Sequence, residues 1–128
     1  MSIEEFKKLV PKICCKETSA DPEHWTCDNP TWGNCAEVAL LVQELFGGVL
    51  IRKSLADIPE LSYLRSHYMN RLSDGAEVDF TRDQFKNGLP KNLPTEERPR
   101  ERVITYPGAK ERYDILCSRF KALSNSYE

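Results

Sequence analysis

The chain lacks any apolar run approaching the roughly 18 residues that a membrane helix requires, so no membrane span is expected. A basic excess is missing as well: 18 Lys and Arg stand against 20 Asp and Glu, for a net charge of −2. Without that electrostatic footprint, no nucleic-acid partner is expected. The cysteine count is not even, and the five thiols at Cys14, Cys15, Cys27, Cys35 and Cys117 cannot all pair. An unpaired set fits a reducing compartment. Charges at Glu4, Glu5, Lys7, Lys8, Lys12, Lys16 and Glu17 leave no room for a signal-peptide apolar region, and a cytoplasmic protein is expected. Paired Cys-x-x-Cys knuckles are also absent. Cys14, Cys15, His24, Cys27 and Cys35 fall close together, and His24-x-x-Cys27 has ligand-like spacing, but no metal or cofactor is expected from them. Internal repeats and low-complexity segments are missing too.

What remains is an ordinary globular composition, 40% hydrophobic and 30% charged over 128 residues. A chain of that length supports one domain, 1–128, with a core that needs no disulfide. Ser2-Ile3-Glu4-Glu5 has the form of a capping box, and Phe6, Leu9, Val10 and Ile13 share one helical face, with Pro11 expected to kink or end that helix. Residues 16–33 read as a long loop of turn formers. From Cys35 to Phe46 the apolar residues are dense, and Gly47-Gly48 marks a helix stop. Strands are expected over 49–55, 66–72 and 76–81, the last two joined by Ser73-Asp74-Gly75. Thr81 reads as the cap of a short turn over 82–85. Residues 86–100 read as an exposed connection, 102–106 as a further strand, and 109–123 as an amphipathic helix. The fold class is α+β, with helices flanking a small antiparallel sheet.

Chemistry concentrates at three positions. A helix N-terminus favours a thiolate through its unpaired N–H groups and its dipole, and Cys35 opens the best helix in the chain. Gly33 and Asn34 suit the tight turn before it, and the Cys35 backbone N–H is a candidate oxyanion donor. His67 follows on the first hairpin strand. With Gly75 in the left-handed position of a three-residue loop, Leu72 faces Ala76, and facing residues sum to 148. Met69 then faces Asp79 and His67 faces Thr81, so His67 and Asp79 are diagonal neighbours on one face. Asp79 can take one imidazole nitrogen while the other serves a thiol, which is the nucleophile, base and orienter of a cysteine triad.

Gly33-Asn34-Cys35, Ser66-His67-Tyr68-Met69-Asn70, Asp74-Gly75 and Val78-Asp79-Phe80-Thr81 resemble the Cys, His and Asp blocks of the transglutaminase-like branch of papain-like cysteine enzymes. Residues 29–48 and 66–85 are similar, more closely, to the YunG-like family of small bacterial proteins. The resemblance keeps the pattern's Gly, Cys, His, Asp and Thr as Gly33, Cys35, His67, Asp79 and Thr81. It replaces a Gln by Asn34, an aromatic by Ala36 and a Trp by Met69. It implies a papain-like or transglutaminase-like core in which Cys35, His67 and Asp79 are catalytic. Asn29, six residues before the nucleophile, together with Trp32 and Asn34, are the candidates for oxyanion or substrate contacts.

Each residue also has a plainer reading. Cys35 suits an inert place in a buried helix, His67 a partner for a backbone carbonyl, and Asp79 a cap for Thr81 and Arg82. Trp32 and Tyr68 suit packing, and the charge run over 96–102 suits a solvated face. Three side chains falling into register by chance is the less economical account. A cysteine hydrolase or acyl transferase acting on a peptide or small acyl substrate is expected. The alternative is an inactive binding or regulatory module on the same fold.

Overall fold

Helix α1 (Ile3–Ile13) begins where the Ser2 hydroxyl accepts a hydrogen bond from the Glu5 N–H at 3.1 Å. The computed structural model describes residues 1–125. Phe6, Leu9, Val10 and Ile13 are buried along one face of α1. Pro11, expected to kink or end the helix, does not end it. It lies two residues from the end, where a missing backbone donor costs a single hydrogen bond.

Helix α2 (Cys35–Phe46) ends at Gly47, whose φ of 79° a side chain would disfavour. Four strands follow, β1 (Val49–Ser54), β2 (Ser66–Arg71), β3 (Glu77–Val78) and β4 (Thr95–Arg98), in the antiparallel order β3-β2-β1-β4. The hairpin has the register read from its turn: Asn70 faces Val78, Arg71 faces Glu77, and the Leu72 N–H donates to the Ala76 carbonyl at 2.8 Å. Its second strand is shorter than expected. Past Val78 the Asp79 carboxylate takes the Thr81 N–H at 3.3 Å, and the chain turns into 82–84 instead of continuing the ladder.

Two expectations over 86–106 are corrected. The connection contains β4, whose Thr-Glu-Glu-Arg sequence has no apolar alternation and which pairs with β1 through its backbone. The segment expected as a strand over 102–106 lies in helix α3 (Arg100–Ile104) and the turn after it. Pro99 enters that helix at φ −61°, and Arg100 anchors it by donating to the Leu40 carbonyl and the Gln43 side chain, each at 3.0 Å.

Helix α4 (Ala109–Ser124) is the last regular element among the described residues. Helix α2 is central: Val38, Ala39, Leu40, Leu41 and Val42 are buried between Phe6, Val10 and Ile13 of α1, Leu50 of β1 and Leu116 of α4. Asn70 of β2 ties sheet to helix by donating to the Ala39 carbonyl at 2.9 Å. A Leu40→Ala change in such a core costs about 2–5 kcal/mol. Among the described residues no helix is long and apolar enough to cross a membrane.

Candidate active site

The loop before α2 is held by side chains rather than by regular structure. Ser19 donates its hydroxyl to the Trp32 carbonyl at 2.8 Å, and the Ala20 N–H donates to the Gly33 carbonyl at 2.8 Å. Gly33 sits at φ +72° with its α-carbon so close to Ser19 that a Cβ would lie 2.2 Å from the hydroxyl oxygen. Only glycine fits there. Cys35 follows two residues later, half-buried, as the first residue of α2. The helix's hydrogen bonding starts with the Val38 N–H on the Asn34 carbonyl at 2.9 Å, so the N–H groups of Cys35, Ala36 and Glu37 precede the ladder.

His67 enters from β2 and is fully buried. Its Nε2 lies 2.6 Å from Oδ2 of Asp79, whose other oxygen takes the Thr81 N–H and, at 3.4 Å, the Thr81 hydroxyl. The Phe85 ring meets the imidazole edge-on, with centroids 5.1 Å apart. Burial alone would push the His67 pKa down, but the Asp79 hydrogen bond and the nearby Cys35 side chain outweigh it and hold it up at about 9. Nδ1 is buried without a well-formed hydrogen bond, although Cys35 is close enough to act on the ring. The three expected positions are therefore brought together.

The three oxyanion candidates are not. The Trp32 indole N–H donates to Asp21 at 2.9 Å, and the Asn29 amide donates to the Gln84 carbonyl at 3.0 Å. Asn34 is wholly buried, donates to the Trp32 carbonyl at 3.0 Å and accepts from Thr18. All three organise the loop, and none lines the pocket of about 240 Å³ that opens beside Cys35. Their partners are Asp21 and Thr18 within the loop and Gln84 in the turn after β3, and sequence spacing reveals none of them.

Two residues of the site escaped sequence reasoning. Gln84 is buried and bridges the two halves: its Oε1 accepts the Gly33 N–H at 3.1 Å and its Nε2 donates to the Thr81 carbonyl at 3.1 Å. Glu37, two residues after Cys35, is also fully buried. One of its oxygens accepts from Arg112 at 3.0 Å, while the other has no partner. Burial pushes the Glu37 pKa up to about 7, with Arg112 and its own backbone N–H opposing. A glutamate on a buried helix face breaks the apolar pattern, and that is the signal that could have found it.

The five cysteines are all free. Burial raises the Cys14 thiol far above its ordinary range and raises Cys117 as well. His24 pairs with Asp21 at 2.9 Å, and among the described residues no three or more His, Cys, Asp or Glu side chains gather to hold a metal.

A family model described as YunG protein matches residues 2–125. No curated protein and no solved structure matches the chain. With nearly its whole length covered by that model, the chain belongs to the YunG family.

Proposed function

We propose that this protein is a cysteine-dependent hydrolase or acyl transferase on a transglutaminase-like, papain-like plan, acting on an amide or thioester of a peptide or small acyl compound. The observation that carries the reading is the buried His67, bonded to Asp79 through Nε2 and left with an open Nδ1 beside Cys35. Contacts of this kind are commonly loose in an unliganded site and tighten on substrate.

The chemistry follows from those atoms. Cys35 gives its proton to His67 Nδ1, and the sulfur attacks the substrate carbonyl carbon. The carbonyl π pair moves to oxygen, where the backbone N–H groups at the start of α2 meet the developing charge. Collapse breaks the bond to the amine or thiol leaving group, which takes the proton from His67 and leaves a thioester on Cys35. Water or an acceptor amine, deprotonated by His67, then attacks the thioester and returns the thiol. Asp79 fixes the imidazole orientation and favours its charged form throughout. A reducing cytosol suits an enzyme that works with a free thiol.

The test is alkylation of the native protein with iodoacetamide at mildly acidic pH, mapped by mass spectrometry. A charged imidazole beside the sulfur favours thiolate, so Cys35 should label before Cys14, Cys15, Cys27 and Cys117. Labelling of Cys35 last, or only after unfolding, would mean a non-catalytic binding module.

A further inference from the structure

Five arginines converge on the pocket beside Cys35, from five places in the chain. They are Arg52 on β1, Arg65 in the turn before β2, Arg98 at the end of β4, Arg102 on α3 and Arg112 on α4. Glu37 is the one acidic residue in the lining, and it is taken by Arg112. Glu96, outside the lining, pairs with Arg98 at 2.7 Å and reaches Arg52 at 3.5 Å. Arg65 and Arg102 make no ion pair among the described residues. Two carboxylates therefore face five guanidinium groups.

That imbalance is permanent, because arginine does not deprotonate in proteins. The three paired side chains, Arg52, Arg98 and Arg112, are 22%, 17% and 19% exposed, whereas the unpaired Arg65 and Arg102 are exposed. The two guanidinium groups that make no ion pair among the described residues are therefore accessible to an incoming anion. Arg65 adds a second, independent sign. Its backbone lies at φ 70° and ψ −49°, the region of the rare strained γ-turn, and is fixed there by its N–H on Ser62 and by the Leu55 N–H on its carbonyl. Strain of this kind in a non-glycine residue clusters where a side chain must be placed for a ligand.

We propose that this pocket binds an oxyanionic group, a carboxylate or a phosphate, and that the acyl substrate carries that group a few atoms from the carbonyl attacked by Cys35. The guanidinium fork matches either anion through paired N–H donors. A volume of about 240 Å³ holds a small molecule rather than a folded partner. The substrate assignment rests on Cys35 being the nucleophile, whereas anion binding does not.

Two measurements separate these claims. Iodoacetate and iodoacetamide react with a thiol in the same way but differ in charge. The ratio of their rates at Cys35 should exceed the ratio at the exposed Cys27 by at least about tenfold. That preference should fall with added salt and in Arg102→Gln and Arg65→Gln, and should persist in Lys7→Gln, which removes a positive charge far from the pocket. Titration calorimetry with glutarate, inorganic phosphate and neutral glutaramide reads the pocket without any reaction. Binding of glutarate or phosphate but not glutaramide, weakened at least about tenfold in Arg102→Gln, supports the proposal, and the tighter anion identifies the group. Equal binding of glutarate and glutaramide, or no anion binding, overturns it. If Cys35 is inert to both alkylating reagents, the nucleophile reading fails and calorimetry alone decides the pocket.

Discussion

His67 and Asp79 meet at 2.6 Å across a hairpin whose register is fixed by Gly75, at φ +88°, in a three-residue turn. Asp79→Asn keeps the volume and one acceptor oxygen, so the fold should lose only about 1–2 kcal/mol. Its reactivity should suffer more, with turnover falling between roughly 10-fold and 10³-fold, since cysteine enzymes lean less on the third residue than serine enzymes do. Alkylation of Cys35 in the variant should need a higher pH than in the wild type, because His67 is no longer held charged. The stability difference has its own signature. The folded pKa of His67 is raised from 6.5 to about 9, so its contribution is complete below about pH 6.5 and disappears as pH rises through about 9. Denaturant titrations of both proteins at pH 6 and pH 9.5 should therefore converge at the higher pH; a gap that widens there, or an unchanged alkylation profile, would return Asp79 to a purely local role in the turn.

Gly33→Ala should be far more damaging than Gly75→Ala, though both residues have positive φ. A Cβ on Gly33 would sit 2.2 Å from the Ser19 hydroxyl oxygen and 3.0 Å from the Asp21 backbone nitrogen. That hydroxyl cannot swing aside without losing its bonds to the Trp32 carbonyl and the Asp21 N–H. A Cβ on Gly75 meets nothing within 4 Å, so only the backbone cost of about 1 kcal/mol applies. Thermal unfolding should show a loss of at least about 2 kcal/mol for Gly33→Ala, with Cys35 alkylation slowed because the same turn feeds α2.

The parts of this molecule that were legible in the sequence are those decided locally. The dense apolar run ending in Gly47-Gly48 gave α2, and the Ser-Asp-Gly turn gave a register that places His67 near Asp79. Where tertiary partners decide, the reading failed. Strand β4 is a polar edge whose pairing with β1 is a backbone matter, and α3 depends on Arg100 reaching Leu40 and Gln43 sixty residues away or nearly so. Asn29, Trp32 and Asn34 looked available because nothing local shows that Gln84, Asp21 and Thr18 engage them. The arginine pocket is the extreme case, since its members span Arg52 to Arg112 and share no motif.

Glu37 should weaken the fold as it ionises. Its folded pKa is raised from 4.5 to about 7 by burial, so the native state holds a proton that the unfolded chain releases between those values. Unfolding is therefore favoured by rising pH across that window, by an amount on the order of 3 kcal/mol in full. Glu37→Gln removes the titration while keeping the volume and an oxygen for Arg112. Relative to the variant, the wild type should lose stability between pH 4.5 and pH 8, as read by urea midpoints. Parallel pH profiles would mean that Arg112 keeps Glu37 charged throughout.

Gln84 is the joint between the cysteine half and the histidine half of the site, and its removal should show in both stability and reactivity. Its Oε1 takes the Gly33 N–H, two residues before Cys35, and its Nε2 reaches the Thr81 carbonyl, two residues after Asp79. Gly33, Thr81 and Gln84 are all buried, so Gln84→Ala strands the Gly33 N–H away from water and leaves a cavity, while the Thr81 carbonyl keeps the residue 84 backbone N–H at 3.1 Å. The cost should be about 2–4 kcal/mol. A merely structural loss would leave the surviving folded molecules with an unchanged site. A positioning loss would not, because the loop and the turn would be free to drift apart by fractions of an ångström, and proton transfer between Cys35 and His67 depends on their separation. The pH dependence of Cys35 alkylation, measured well below the unfolding midpoint, separates the two. Cys35 alkylation at mildly acidic pH should slow. Gln84→Glu makes the contrast sharper, since it keeps the acceptor for Gly33 but sets a carboxylate oxygen against the Thr81 carbonyl. It should retain the loop, disturb the Asp79 turn, and shift the alkylation profile in the same direction as Asp79→Asn. A Gln84→Ala protein that is destabilised but alkylates with the wild-type pH profile would confine Gln84 to holding the fold.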